Sequence, residues 1–131
     1  MNNNYESLTK EIEKSYTEGV TLEEAERLAG KFLGAQIEVA NGLKKADLDA
    51  RMRKSGVKAI KAAVYLNEVK KELKKPTEVM LQAIVDSNDL VQGEEEAFNI
   101  AEVDKNHLQN MFDIFHEAHI YFRGIAKGKF E

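Results

Sequence analysis

Five cations recur at helical spacing in the middle of the chain. They are Lys44, Arg51, Lys54, Lys58 and Lys61, and the steps between them are seven, three, four and three residues. Such steps place side chains on one side of an α-helix. A row of cations that rises by about 1.5 Å per residue can follow a phosphate backbone. The pattern indicates binding of a polyanion, and we call these five residues the cation ladder.

The segment around the ladder is basic although the whole chain is acidic. Residues 43–75 contain eleven Lys or Arg against four Asp or Glu, a formal charge of +7, whereas the remainder contains eight against nineteen, or −11. The whole chain carries −4, with a pI of about 5.5. A localised positive stripe attracts phosphates even on an acidic protein. The alternative is a solvated helix face whose lysines pair with acids elsewhere.

Aromatic side chains beside cations are a second candidate feature, because aromatic rings can stack on bases. Tyr65 lies one turn beyond the ladder, and Arg123 belongs to a C-terminal stretch of aromatic and basic residues. An alternative for that stretch is a core face around Phe122, followed by cations that complement the helix dipole. The candidate nucleic-acid-binding residues are Lys44, Lys45, Arg51, Arg53, Lys54, Lys58, Lys61, Tyr65 and Arg123.

A metal site is a third candidate. Asp113, His116 and His119 follow one another at steps of three, and both residue types ligate divalent metals in helical bundles. The sequence contains no Glu-x-x-His and no His-Glu-x-x-His motif, and no second set of ligands is apparent on another helix. We therefore expect no metal and no cofactor, and a bundle metalloenzyme stays an alternative that requires metal in the purified protein.

The residue types that catalysis usually needs are sparse. The chain has no Cys, no Gly-x-Ser-x-Gly motif and no Gly-rich phosphate loop, and its acids lie in helical patterns such as Glu94–Glu96. We expect no catalytic residues, and a binding protein rather than an enzyme. The lack of Cys suits a reducing cytoplasm. Because the N-terminus lacks a signal-peptide pattern and the longest apolar stretch, near residues 79–85, is too short to span a bilayer, we expect a soluble, cytoplasmic protein without a membrane partner.

Hydrophobic spacing predicts helices along almost the whole chain and no strand. We expect a short helix within residues 1–20, a long basic helical segment over 21–75, a short helix within 76–92 and a long C-terminal helix over 93–131. Thr21 and Thr77 are the expected N-caps, and Lys75-Pro76 is the expected end of the long segment. Gly93 is the expected break before the last helix, and a turn at Asp86-Ser87-Asn88-Asp89 is the alternative. Gly42 either breaks the long segment or only bends it.

Long apolar stripes predict the packing. One stripe, here called the heptad stripe, steps alternately by four and three residues: Leu48, Met52, Ser55, Ala59, Ala62, Leu66, Val69 and Leu73. We expect one all-α domain over residues 1–131, built as a long antiparallel helical hairpin or a small helical bundle. A single hairpin would leave part of these stripes in water, so self-association is expected. The alternative is a closed bundle in which the N-terminal helix covers the stripes.

The layout resembles a known family. A long Ala-rich helix bearing Arg and Lys leads to the linker Lys74-Lys75-Pro76-Thr77-Glu78, and the last helix ends in the aromatic and basic stretch 118–125. Over roughly residues 22–130 this arrangement resembles the UvsY-type recombination mediators of T-even-like bacteriophages and related small helical phage proteins. The resemblance implies single-stranded DNA binding, a ring-like homo-oligomer, and a RecA-like recombinase and a single-strand binding protein as partners in the host cytoplasm. The acidity of this chain departs from that pattern.

Two hypotheses for function follow. The first is a non-enzymatic, recombination-mediator-like accessory protein that binds single-stranded DNA as a homo-oligomer through the cation ladder. The alternative is a helical protein–protein adaptor, an inhibitor or a phage assembly component that binds no nucleic acid. In the alternative, the acidic clusters Glu23–Glu26 and Glu94–Glu96 contact the partner.

Overall fold

A computed structural model describes residues 3–71 and 77–128 of the chain, and over these residues the protein is all-α. Four helices are present there and no strand: α1 (Asn3–Glu18), α2 (Leu22–Lys71), α3 (Glu78–Ser87) and α4 (Asp89–Ala126). The predicted all-α class is confirmed. None of these four helices is long and apolar enough to cross a membrane.

Local side chains set the helix ends. Gly19 follows α1 with a φ of 77°, a backbone conformation that glycine adopts readily, and its amide donates to the carbonyl of Ser15. The Oγ1 atom of Thr21 then accepts a hydrogen bond from the amide of Glu24 (3.1 Å) at the start of α2. Thr77 caps α3 in the same way, accepting from the amide of Met80 (3.2 Å). These capped ends fix where the chain turns.

The expected break at Gly93 is wrong, and the boundary lies within the alternative turn, residues 86–89. α4 begins at Asp89, Gly93 lies inside it, and α3 ends at Ser87 rather than near residue 92. The reason is Asn88, whose Oδ1 accepts hydrogen bonds from the amides of Leu90 (2.9 Å) and Val91 (3.2 Å). An asparagine that satisfies two free amides of the first turn starts a helix more effectively than a following glycine stops one.

The long basic segment forms one helix. α2 continues through Asn41 and Gly42 without a break, which settles the alternative that the sequence left open. The expected helix end at Lys75-Pro76 lies outside the described residues, as does Leu73 of the heptad stripe. Two compact units make up the chain: a terminal unit, Met1–Leu43 with His107–Glu131, and a middle unit, Lys44–Asn106. The expectation that residues 1–131 form one domain stays a prediction.

The core of the terminal unit is aromatic. Phe32 of α2 is fully buried, and its ring lies 5.6 Å from that of Phe122 and 5.7 Å from that of Phe115, both on α4. Tyr5 of α1 packs edge-on against Phe115 at 5.4 Å. Aromatic rings bury large apolar areas, and offset or edge-on geometries between them are favourable. This cluster joins α1, α2 and α4 within the terminal unit.

A smaller aliphatic core forms the middle unit. Val64 of α2, Val85 of α3 and Val91 of α4 are buried together, with Ile60 and Tyr65 packed against them. Cross-helix contacts in this unit join residue 47 to 105 and residue 61 to 95, so α2 and α4 are antiparallel here. In the terminal unit, contacts joining residue 29 to 119 and residue 36 to 116 give the same direction. The antiparallel hairpin packing predicted from the stripes is confirmed.

The heptad stripe does not face this core. Its seven described members, Leu48, Met52, Ser55, Ala59, Ala62, Leu66 and Val69, are all exposed. The face of α2 that packs inward carries Ala50, Val57 and Val64 instead, again seven residues apart. The second half of α2 is therefore apolar on two faces, and α3 and α4 cover only one of them.

Candidate nucleic-acid interface

The cation ladder lies on the part of α2 that belongs to the middle unit. At about 100° per residue, its five members fall within an arc of about 100° around the helix axis. Lys44, Arg51, Lys54 and Lys58 are exposed, and Lys61 is half-buried. By the same geometry, Lys45 and Arg53 point away from this arc, so α2 gathers five of the seven predicted α2 cations on one side.

Two of the five ladder residues, Arg51 and Lys61, form ion pairs. The Nε atom of Arg51 lies 3.1 Å from Asp47, a carboxylate that also has Lys105 of α4 at 4.0 Å. The ammonium of Lys61 lies 2.8 Å from Glu95 of α4. That hydrogen bond raises the pKa of Lys61. Two of the five ladder residues are therefore partly neutralised.

The other three ladder residues have no acidic partner among the residues that the structure describes. No carboxylate in that part of the chain lies within ion-pair distance of Lys44, Lys54 or Lys58. The same is true of Lys45, whereas Arg53 pairs with Asp49 at 3.1 Å on another side of the helix. Exposed ammonium groups without a partner are the groups that a polyanion can reach without breaking an existing contact.

The charge around the ladder is balanced over the whole unit. The middle unit contains twelve Lys or Arg and twelve Asp or Glu, so it is formally neutral, and the terminal unit carries the full −4. Part of the balance is local, because Asp47 pairs with Arg51 and Glu95 of α4 pairs with Lys61. A Debye length of about 8 Å at physiological ionic strength confines the positive potential to the ladder itself.

Tyr65 lies in the middle core rather than on an open surface. Its ring packs against the cluster of Val64, Val85 and Val91, and its hydroxyl donates to Glu78 at 3.2 Å. That hydrogen bond raises the pKa of the phenol, and the charge of Glu78 adds to the effect. The side chain is half-buried, so its ring offers less area for base stacking than the sequence indicates.

Arg123 does not lie in the same unit as the ladder. It is exposed in the last turn of α4, which belongs to the terminal unit. The neighbouring aromatic residues serve the core there: Phe122 is fully buried, and the ring of Tyr121 lies 5.1 Å from that of Phe122 and 5.6 Å from that of Tyr16. Lys129 of the same stretch lies outside the described residues. The ladder and the C-terminal candidates therefore belong to different units of the chain.

The residues of the metal alternative make other contacts. The Nδ1 atom of His119 donates to the carbonyl of Ala29 at 2.8 Å, and that of His116 lies 3.1 Å from the amide nitrogen of Gln36. Asp113 accepts from Gln109 at 3.1 Å. Over the described part of the chain, no group of three His, Cys, Asp or Glu side chains is arranged to hold a metal ion.

The alternative that ladder lysines pair with acids elsewhere holds for Lys61, but the particular acids beside the ladder were not predicted. Asp47 and Glu95 neutralise two of its rungs, and Lys105 shares Asp47. The i,i+4 spacing of Asp47 and Arg51 signals the first pair, and antiparallel pairing of α2 with α4 signals the second, because it opposes the Glu94–Glu96 run to the region near Lys61. No protein-family model, curated protein or solved structure matches the chain. The geometry of α2 is therefore the basis for assigning a function.

Proposed function

We propose that this protein is a non-enzymatic, single-stranded DNA-binding accessory protein that contacts phosphates through the cation ladder. The observation that carries the proposal is the alignment of Lys44, Lys54 and Lys58 on one side of α2 with no acidic partner among the described residues. Arg51 lies between them and adds a fourth cation, since its pair with Asp47 is exposed and such pairs contribute little.

The dimensions of the ladder favour a flexible strand. From residue 44 to residue 58, α2 rises by about 21 Å, which is long enough to accompany several phosphates. The ladder is narrow, and Glu95 of α4 borders it at Lys61. A single strand can follow such a row of cations, whereas the second strand of a duplex would come close to that acid. Binding is expected to depend on the backbone rather than on base identity, because Tyr65 lies in the core.

The recombination-mediator role is a further part of the proposal. It rests on the resemblance in layout to UvsY-type mediators, which suggests a RecA-like recombinase and a single-strand binding protein as partners. The ladder of one copy offers only a few contacts in a chain of net charge −4. A homo-oligomer that presents several ladders to one strand would raise the affinity through effective concentration.

Charge reversal on the ladder tests the proposal. We would titrate a labelled oligonucleotide with the wild type and with a Lys54→Glu, Lys58→Glu double variant, in which no described ion pair is broken. The matched control is Lys10→Glu with Lys127→Glu in the terminal unit, which changes the net charge equally and likewise breaks no described ion pair. We expect the ladder variant to bind at least about tenfold more weakly at low salt and the control to bind much as the wild type does. Equal affinities for all three proteins, or equal losses in both variants, would refute the assignment.

A second function is favoured by the formal neutrality of the middle unit and by its exposed apolar residues. In this alternative the protein is a helical adaptor, an inhibitor or an assembly component that binds protein and not DNA. The same titration separates the two functions when it is combined with a measurement of mass in solution. A protein that forms a defined oligomer and leaves the oligonucleotide unbound at low salt fits the alternative.

A further inference from the structure

The exposed heptad stripe of α2 is more regular than a solvated helix face requires. Its seven described members step by four, three, four, three, four and three residues, all within the middle unit. The four large ones remain open to solvent: Leu48 60%, Met52 65%, Leu66 57% and Val69 45%. Strict alternation of these steps places apolar side chains along one seam, as in a two-stranded coiled coil.

The stripe is separate from the surface that α2 uses within its own unit. Val64 is buried there by α3 and α4, whereas its sequence neighbour on the stripe, Leu66, is exposed. A helix on a protein surface needs one apolar face and presents a polar face to water. A second apolar face that runs through 22 residues, from Leu48 to Val69, marks an interaction surface.

We propose that the heptad stripe binds the heptad stripe of a second copy of this chain, with the two α2 helices antiparallel. In this arrangement Met52 faces Val69 of the second copy, Ser55 faces its Leu66, and Ala59 faces its Ala62. Near the middle of the stripe, the two alanines then lie opposite each other, and Leu66 of the second copy fills the space beside Ser55. The two backbones can approach closely at the alanines.

Packing favours the antiparallel over the parallel arrangement. In a parallel pair, each stripe residue faces the same residue of the second copy. Three successive contacts would then join only small side chains (Ser55, Ala59 and Ala62) and would leave a poorly filled centre. The antiparallel arrangement has Leu66 fill the space beside Ser55. Charge complementarity identifies the second copy as the occupant. Asp49 beside one end of the stripe, whose pair with Arg53 on its own helix is exposed, then faces Lys70 beside the other end, twice in each dimer.

The arrangement has a consequence for the ladder, which rests on the proposed function. Lys44, Arg51 and Lys58 are seven residues apart and lie along one edge of the heptad stripe. In an antiparallel pair of helices, the equivalent edges of both copies come to the same face. Two ladders would then lie side by side, with Lys58 facing Tyr65 of the second copy rather than another cation. A strand crossing that face meets twice the number of cations.

Disulfide cross-linking tests the direction and register, since the natural chain has no Cys. Residues 52 and 69 are about 25 Å apart along α2, so each single variant, Met52→Cys or Val69→Cys, should not cross-link to itself. An equimolar mixture of the two should give a mixed disulfide dimer under mild oxidation. Self-linking of Met52→Cys alone would indicate parallel helices, and no cross-link in the mixture would exclude this surface. Either result overturns the proposal.

Sedimentation of the full chain over a range of concentrations tests the surface itself. We expect the wild type to dimerise reversibly, Leu66→Lys to weaken the dimer at least tenfold, and Asn67→Lys, the same change at an exposed neighbour off the stripe, to leave it intact. Circular dichroism checks that both variants keep their helix content. A wild type that stays monomeric, or equal behaviour of the two variants, would overturn the proposal.

The DNA titration keeps the two proposals distinguishable. Cross-linked Met52→Cys/Val69→Cys dimers that fail to bind the oligonucleotide would refute the proposed function and leave the interface standing. Oligonucleotide binding by a protein that neither sediments as a dimer nor cross-links would refute the interface and leave the ladder standing.

Discussion

The ammonium nitrogen of Lys61 lies 2.8 Å from a carboxylate oxygen of Glu95, which ties the last rung of the cation ladder to α4. The hydrogen bond holds the proton on the amine and raises the pKa of Lys61. Both side chains keep about two fifths of their surface exposed, so the pair is a surface contact that contributes little to folding. Its main effect is electrostatic, because the carboxylate of Glu95 balances the positive charge of Lys61 before any phosphate binds.

Single alanine substitutions should therefore separate Lys61 from Lys58. We expect Lys58→Ala to weaken oligonucleotide binding and to lower the steepness of its salt dependence by about 0.7, because one phosphate contact is lost. Lys61→Ala should change both quantities less, since the amine it removes is engaged by Glu95. Fluorescence anisotropy at several salt concentrations measures both. A larger loss for Lys61→Ala than for Lys58→Ala would contradict the assigned roles.

The aromatic core of the terminal unit should dominate the stability of that unit. Phe32 has no exposed surface and packs between two rings of α4, so Phe32→Ala should lower the free energy of unfolding by about 3–5 kcal/mol. Leu33→Ala is the matched control, because Leu33 is 42% exposed and should cost less than about 1 kcal/mol. Urea unfolding followed by circular dichroism gives both values, and similar costs would contradict this core.

The start of α4 should depend on the side chain of Asn88. Replacement of Asn88 by Ala leaves the amides of Leu90 and Val91 without their acceptor, and should cost about 1 kcal/mol. Asn88→Asp keeps an acceptor oxygen and adds a charge that suits the helix dipole, so it should retain most of the stability. Thermal unfolding compares the stabilities of the two variants with that of the wild type. An equal loss of stability in both variants would show that the side chain of Asn88 does not cap α4.

The hydrogen bond from Tyr65 to Glu78 predicts a loss of stability in alkali. The pKa of the folded phenol lies above its ordinary value of 10.0, so this contribution is complete below pH 10. It disappears as the pH rises through the higher folded-state pKa, because the phenolate can no longer donate. Tyr65→Phe should remove this part of the pH dependence. The measurement is the unfolding temperature of the wild type and of Tyr65→Phe between pH 9 and 11, about one unit on either side of the pKa of a free phenol. Equal decreases of the two unfolding temperatures with pH would contradict the contact.

The helices and their antiparallel packing followed from the sequence because apolar spacing and caps act locally. Thr21 and Thr77 were recognisable as caps, and the polar residue that begins the last helix, Asn88, was not. Its stretch contains Asp, Ser and Asn in a row, a composition equally suited to a turn. Gly93 was the more conspicuous signal, although glycine in a helix interior costs only about 1 kcal/mol.

The orientation of α2 could not be predicted because the helix carries two apolar stripes. Periodicity alone favours the heptad stripe through Leu48 and Leu66, whereas the structure buries Ala50 and Val64. Spacing did group the ladder correctly on one side of the helix. It did not identify the acid that meets Lys61, since Glu95 lies about 35 residues away on α4 and reaches α2 only through tertiary packing, whereas Asp47 lies one turn from Arg51 on α2 itself.

The salt dependence of oligonucleotide binding tests the central claim most directly. If Lys44, Arg51, Lys54 and Lys58 each neutralise one phosphate, the logarithm of the affinity should fall with the logarithm of the salt concentration at a slope of about −3 per ladder. The Lys54→Glu, Lys58→Glu variant should bind more weakly and show a slope of at most about half that value. A slope near zero for the wild type, or a wild-type slope retained in the variant, would show that phosphates do not bind along this face of α2.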